Sequence, residues 1–184
     1  MSFRHPALTS ALASPELTLL AIAADIIGSP DPFQALRHLD CDPPVVAELA
    51  ARLADSARMV DASSTGFTMA LKEISSGWSG AGYEAFAERA DEVDREYRGV
   101  TDRTYDSAKI GSQVASTLDS YVRAAVDQSL SIAGEAAPAS HAVVRGESDE
   151  AAETVNEACR TIALIVRDTV QSISDMAREL AELA

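Results

Sequence analysis

A chain of 184 residues is long enough for one domain, or one domain with appendages. Its 47% hydrophobic content excludes a wholly disordered chain, and its 5% aromatic content argues against the broad core of a β-sandwich. The formal net charge of -14 repels phosphate backbones and anionic headgroups, so nucleic acid and anionic membrane surfaces are poor partners.

The first apolar stretch, Leu17 to Ile27, follows Arg4 and His5 and has the outline of a signal peptide. It contains Asp25, follows Glu16 and lacks a small-residue cleavage site, and it is too short to span a bilayer. A buried helix is the better reading. Ser14-Pro15-Glu16 supplies its start: a capping hydroxyl, a proline at the first helical position and an acid at the positive end of the dipole. Gly28 ends it. Asp31-Pro32 repeats the signal for a short helix ending near Leu39, and Asp42-Pro43 repeats it again for a long one.

From there Val46, Leu49, Leu53, Ser56, Val60, Ser63, Phe67, Ala70 and Ile74 recur at alternating three- and four-residue spacing, a coiled-coil seam. Three glycines in six residues, Gly77, Gly80 and Gly82, predict a turn over 75–82. The spacing resumes as Tyr83, Phe86, Ala90, Val93, Tyr97 and Val100, then as Val114, Leu118, Tyr121 and Ala125. Two long helices joined by a short turn predict an antiparallel helical hairpin over 43–133, each arm about 50 Å or longer. Residues 1–42 precede it as short helices. Residues 134–147, with Gly134, Pro138 and Gly146, read as a linker. Ser148-Asp149-Glu150 then caps an amphipathic C-terminal helix over 148–184. Its stripe is Val155, Cys159, Ile162, Val166, Thr169, Ile173, Met176, Leu180 and Leu183, widened by Ile165 and Val170, and so broad a stripe requires burial. The expected fold class is all-α: a long hairpin extended by its flanking helices into a helical bundle.

Chemistry is hard to find. His5, His38 and His141 sit in three different loops or short elements, and none has a Glu three residues before it, as a di-iron bundle site requires. Loop histidines of this kind are expected at the surface. Cys41 and Cys159 have no metal or redox spacing, and whether they pair stays open. Glu84, Glu88, Asp91, Glu92 and Asp94 read as solvated helix faces. No catalytic, metal or cofactor site is expected.

The turn carries one more signal. Gly77-Trp78-Ser79-Gly80-Ala81-Gly82-Tyr83-Glu84-Ala85-Phe86 places the chain's single tryptophan and a WxG triplet between two heptad-patterned helices. This constellation resembles the WXG100 family, the small helical-hairpin proteins associated with type VII (ESX) secretion in actinobacteria and firmicutes. The resemblance covers about residues 43–133. It implies a non-enzymatic hairpin that forms a four-helix bundle with itself or with a second such protein. It also implies export in the folded state without a cleaved signal, or a cytoplasmic pool before export.

Trp78, Ser79, Gly80, Tyr83 and Phe86 are the candidate recognition residues. Val46, Leu49, Leu53, Val60, Phe67, Ile74, Val93, Tyr97, Val100, Leu118, Tyr121, Ile162, Val166, Ile173 and Leu180 are the candidate packing seam. Trp78 either lines an exposed groove or plugs its own turn. The family's YxxxD/E export signal is missing: Ala87, Thr101, Lys109 and Ala125 follow the four tyrosines at that spacing. An intracellular adaptor or chaperone for a type VII-secreted toxin is the alternative this leaves open. A helical-bundle enzyme or ligand carrier is a second one.

Overall fold

The computed structural model describes residues 3–147 and 149–182, and all regular structure among them is helical. Ser148, the expected cap, and Leu183 lie outside the described residues. The helices are α1 (Pro6–Ala11), α2 (Pro15–Ile27), α3 (Pro32–Leu36), α4 (Pro43–Ser75), α5 (Ala81–Glu135), α6 (Ala137–Arg145) and α7 (Asp149–Glu182). A 3-10 turn, Arg37–Leu39, continues α3.

Three helix starts share one device, a side-chain cap followed by proline. Ser14 Oγ accepts from the Leu17 amide, Asp31 Oδ1 from the Phe33 amide and His5 Nδ1 from the Ala7 amide. Each cap satisfies an amide that the first helical turn leaves without a partner, and the proline that follows has no N–H to satisfy.

Residues 134–147 are not a linker. α5 runs to Glu135, Ala136 breaks the line, and α6 follows. Pro138 falls in the first turn of α6, where its missing N–H breaks no hydrogen bond, and Ser140 and Val143 are buried. Gly134 falls inside the last turn of α5, at a cost of about 1 kcal/mol relative to alanine, between the buried Ala133 and Ala136.

The chain forms two compact units, Met1–Pro43 with Thr117–Ala184, and Pro44–Ser116. The expected 43–133 segment is therefore cut within α5. In the first unit α7 packs on α2, α3 and α6, which bury its stripe from Val155 to Val166 and leave Thr169, Ile173, Met176 and Leu180 half-buried. Leu17, Leu20, Ala23 and Ala24 of α2 meet Val155, Cys159, Ile162 and Val166 of α7, with Leu8, Leu36, Leu39, Val122 and Val126 completing one core.

The second unit is built differently. Its buried residues are Ala50, Ala57, Ser64, Ala90, Thr101, Ala108 and Ala115, none larger than threonine. Ala50, Ala57 and Ser64 repeat at seven residues on α4, as do Thr101, Ala108 and Ala115 on α5. Small side chains at this period let two helices approach closely. A Cβ added at Gly111 would lie 3.0 Å from Ala50 Cβ. Ser64 Oγ donates to Asp94 Oδ1 at 3.0 Å, and Asp94 pairs with Arg98 at 2.6 Å.

The expected seam on α4 is thus turned by one residue. Leu49, Ser56, Ser63 and Ala70 are exposed, and the positions that follow Leu49, Ser56 and Ser63 form the contact. Leu49 is 59% and Ile74 46% exposed. Val46, Leu53, Val60 and Phe67 flank the contact, half-buried. The small residues win the seam because a leucine there would hold the backbones apart.

Ala57→Leu should overpack this seam and destabilise the Pro44–Ser116 unit by about 1–3 kcal/mol, whereas Leu49→Ala should change the stability of the isolated chain by less than about 0.5 kcal/mol. Urea denaturation of the two variants checks the rotated register. A larger loss for Leu49→Ala would restore the original seam.

Candidate interaction surface

At the end of the α4–α5 pair the turn rises from Ser75 to Ala81. Gly80 carries φ +99°, a conformation that disfavours a side chain, so the glycine of the WxG triplet has a backbone reason to be there. Tyr83 and Glu84 amides then donate to the Gly80 carbonyl, opening α5.

Trp78 folds onto this helix start. Its ring lies 5.9 Å from Tyr83, edge to face, and 5.3 Å from Phe86. Trp78 remains 45% exposed. It packs locally and presents a face to solvent at once. Gly82 lies under the indole: a Cβ there would sit 3.7 Å from Cζ2. Ser79 is exposed. On the other side of Tyr83 and Phe86, a depression of about 220 Å³ is lined by Thr68, Leu71, Lys72, Ser75, Ala87, Ala90 and Asp91.

Larger apolar side chains continue along the same unit. Among the described residues, ten of the sixteen exposed large hydrophobic residues belong to Pro44–Ser116, although this unit is the smaller of the two. Val100 is 42% and Tyr97 37% exposed, and Val93 and Phe86 are half-buried. The Phe67 and Tyr97 rings meet at 6.3 Å on one side of the small-residue seam. On that side, the nine α4 positions from Val46 to Ile74 and the α5 positions Phe86, Val93, Tyr97, Val100, Ser107 and Val114 contain no charged residue, in a chain that is 24% charged. A charge-free strip running the length of a two-helix unit is more than surface composition alone provides.

The other candidate residues lie in the first unit. Ile162 and Val166 are buried in its core, Ile173 and Leu180 are half-buried, Leu118 is half-buried and Tyr121 is 38% exposed. Here an open groove of about 700 Å³ lies between α3 and α7. Ala35, Ala163, Val166 and Val170 give it an apolar floor. Gln34 and His38 also line it, and three of its polar side chains have partners: Asp31 caps the Phe33 amide, Arg167 pairs with Asp168 and Gln171 donates to Asp175.

The histidines do not converge. His38 and His141 are exposed, while His5 is fully buried, contrary to the surface position expected of it. The His5-Pro6 start, of the same form as Ser14-Pro15, is the signal that marks it as a cap. Among the described residues no three His, Cys, Asp or Glu side chains gather as metal ligands, and no helix is long and apolar enough to cross a membrane. Both thiols are free; burial pushes Cys159 up to about 11, and burial followed by the Asp40 and Asp42 charges raises Cys41.

Trp78→Ala should remove two ring contacts and lower stability by about 1–2 kcal/mol while leaving the helical circular dichroism unchanged. Alkylation of the native chain at pH 8 should modify the half-buried Cys41 before the buried Cys159, read by mass spectrometry of peptides.

No protein-family profile matches the chain, and no curated protein and no solved structure matches it either.

Proposed function

We propose that this protein is a non-enzymatic interaction module in which α4 and α5 form an antiparallel hairpin closed by the WxG turn, and that the hairpin docks its charge-free flank against a second helical hairpin. The flank is the observation that carries this reading. A seam of alanine, serine and threonine buries little apolar area, and each buried methyl-sized group contributes only about 0.8 kcal/mol. An isolated pair of helices joined so thinly is marginal, while the larger side chains beside the seam stay partly in water. A partner that covers Leu49, Val60, Phe67, Tyr97 and Val100 would complete a four-helix arrangement with a normal core. Contact pairs that run in opposite sequence order, from Ser64 with Asp94 to Ala50 with Gly111, support the antiparallel course.

The resemblance to WXG100 proteins gives this module a setting, as a type VII secretion substrate or the partner of one. The partner would be a second copy or another hairpin of the class. The flanking helices add a helical bundle to the hairpin. Absence of YxxxD/E favours one further reading, that the protein acts as an adaptor for an exported toxin whose own sequence supplies the signal.

Light scattering of the intact chain across a dilution series tests the docking. A dimer that persists on dilution and that Leu49→Glu with Val100→Glu converts to monomer supports the face. A monomer at every concentration removes the homodimer and leaves an unlike partner. In that case, failure of the double variant to alter co-purification with a co-expressed hairpin partner would overturn the face itself. Appearance of the protein in culture medium separates substrate from adaptor.

A further inference from the structure

We propose that His5 is an acid-sensitive latch, and that protonating its imidazole releases residues 3–12, including α1, from the unit they help close. The proposal rests on where the ring is fixed and on what each of its nitrogens meets. It does not depend on the hairpin reading above.

His5 is fully buried. Its Nδ1 accepts the Ala7 amide proton at 3.2 Å and so caps α1. An acceptor nitrogen carries no proton, so the neutral ring bears its single proton on Nε2. Nε2 lies 3.3 Å from Asp119 Oδ1 but outside hydrogen-bond alignment with it, and no other acceptor takes its proton. The backbone beside the ring is held from a second direction. Asp40 Oδ1 accepts from the Arg4 amide at 2.8 Å and the His5 amide at 3.3 Å. The start of the chain is therefore tied to the residue after the 3-10 turn by Asp40 and to α1 by one imidazole, with Asp119 of α5 close to the ring.

A second proton can go only to Nδ1. There it would face the Ala7 N–H, donor against donor, and the cap would be lost. The charges around the ring do not remove this conflict. Asp119 favours the imidazolium, but its other oxygen pairs with Arg123 at 2.7 Å, and that guanidinium opposes a second cation. Asp40 favours it from farther away and is already committed to two amides. Burial outweighs both and holds the imidazole below its ordinary 6.5. The released chain, by contrast, binds the proton at about 6.5. The latch thus contributes its full stability above that pH and loses it as pH falls toward the folded value. What opens is not a polar tail: Phe3, Leu8 and Ala11 are part of the core, and their departure bares apolar surface.

Amide hydrogen exchange of the intact protein at pH 7.5 and 5.0, corrected for the intrinsic pH dependence of exchange, reads the latch directly. Protection of residues 3–12 should fall at pH 5.0, by up to about thirtyfold, while α2 keeps its protection. His5→Asn retains a capping acceptor and has no group that titrates, so its segment should be equally protected at both pH values. Unchanged protection in the parent chain, or an equal loss in His5→Asn, would overturn the proposal. Should that variant fold poorly, the imidazole resonances of the parent chain decide it. A His5 titration below 6.5 accompanied by the Ala7 amide shift supports the latch, and a titration that leaves Ala7 unmoved refutes it.

Discussion

The close approach of α4 and α5 sets the terms for the rest of their unit. Two backbones meet at Ala50, Ala57 and Ser64 on one side and at Thr101, Ala108, Gly111 and Ala115 on the other, where only small side chains fit. Such a seam is narrow. It holds the helices near one another, yet it leaves no room for the leucines, valines and aromatics beside it, which must flank the contact. Asp94 ties the two helices together through hydroxyls on successive turns of α4: Ser64 Oγ donates to it at 3.0 Å and Thr68 Oγ1 at 3.4 Å.

The other unit solves the same problem with larger side chains. Leu17, Leu20, Leu36, Val155 and Ile162 are fully enclosed, and short helices tipped by capped prolines wrap them from several directions. Its polar interior is sparse: Ser129 donates back to the Ala125 carbonyl at 2.7 Å and His5 Nδ1 serves as a cap, while His5 Nε2 and Ser140 Oγ are buried without a hydrogen-bond partner. One chain therefore carries a core filled by bulk and a contact tightened by smallness. The second leaves more of its large apolar side chains exposed than the first.

Much of this was legible from residue order, because caps and periodicities are local. Ser14-Pro15, Asp31-Pro32 and Asp42-Pro43 mark helix starts, the glycines mark the turn at 75–82, and the α7 stripe is plain in its spacing. Three features were not legible. On α4 a row of large apolar residues and a row of small ones run side by side, one residue apart, and periodicity cannot say which row faces the neighbour; close packing decides it. Residues 134–147 hold glycine and proline in numbers typical of a linker, but a proline in a first turn breaks nothing, and the buried Val143 shows what holds α6 in place. The His5 cap does not stand out in the sequence, because histidine is an uncommon cap. At the turn, the grouping of Trp78 with Tyr83 and Phe86 was visible as composition, while the way the ring both packs and stays open depends on the backbone at Gly80.

Trp78 is the chain's single tryptophan and stands at the tip of the α4–α5 pair, packed on one side and wet on the other. All indole emission from this protein therefore comes from that tip. Its colour and quenching follow the environment of one ring, so whatever covers the turn announces itself in the intrinsic fluorescence of the unlabelled molecule, and whatever binds elsewhere does so in the dark.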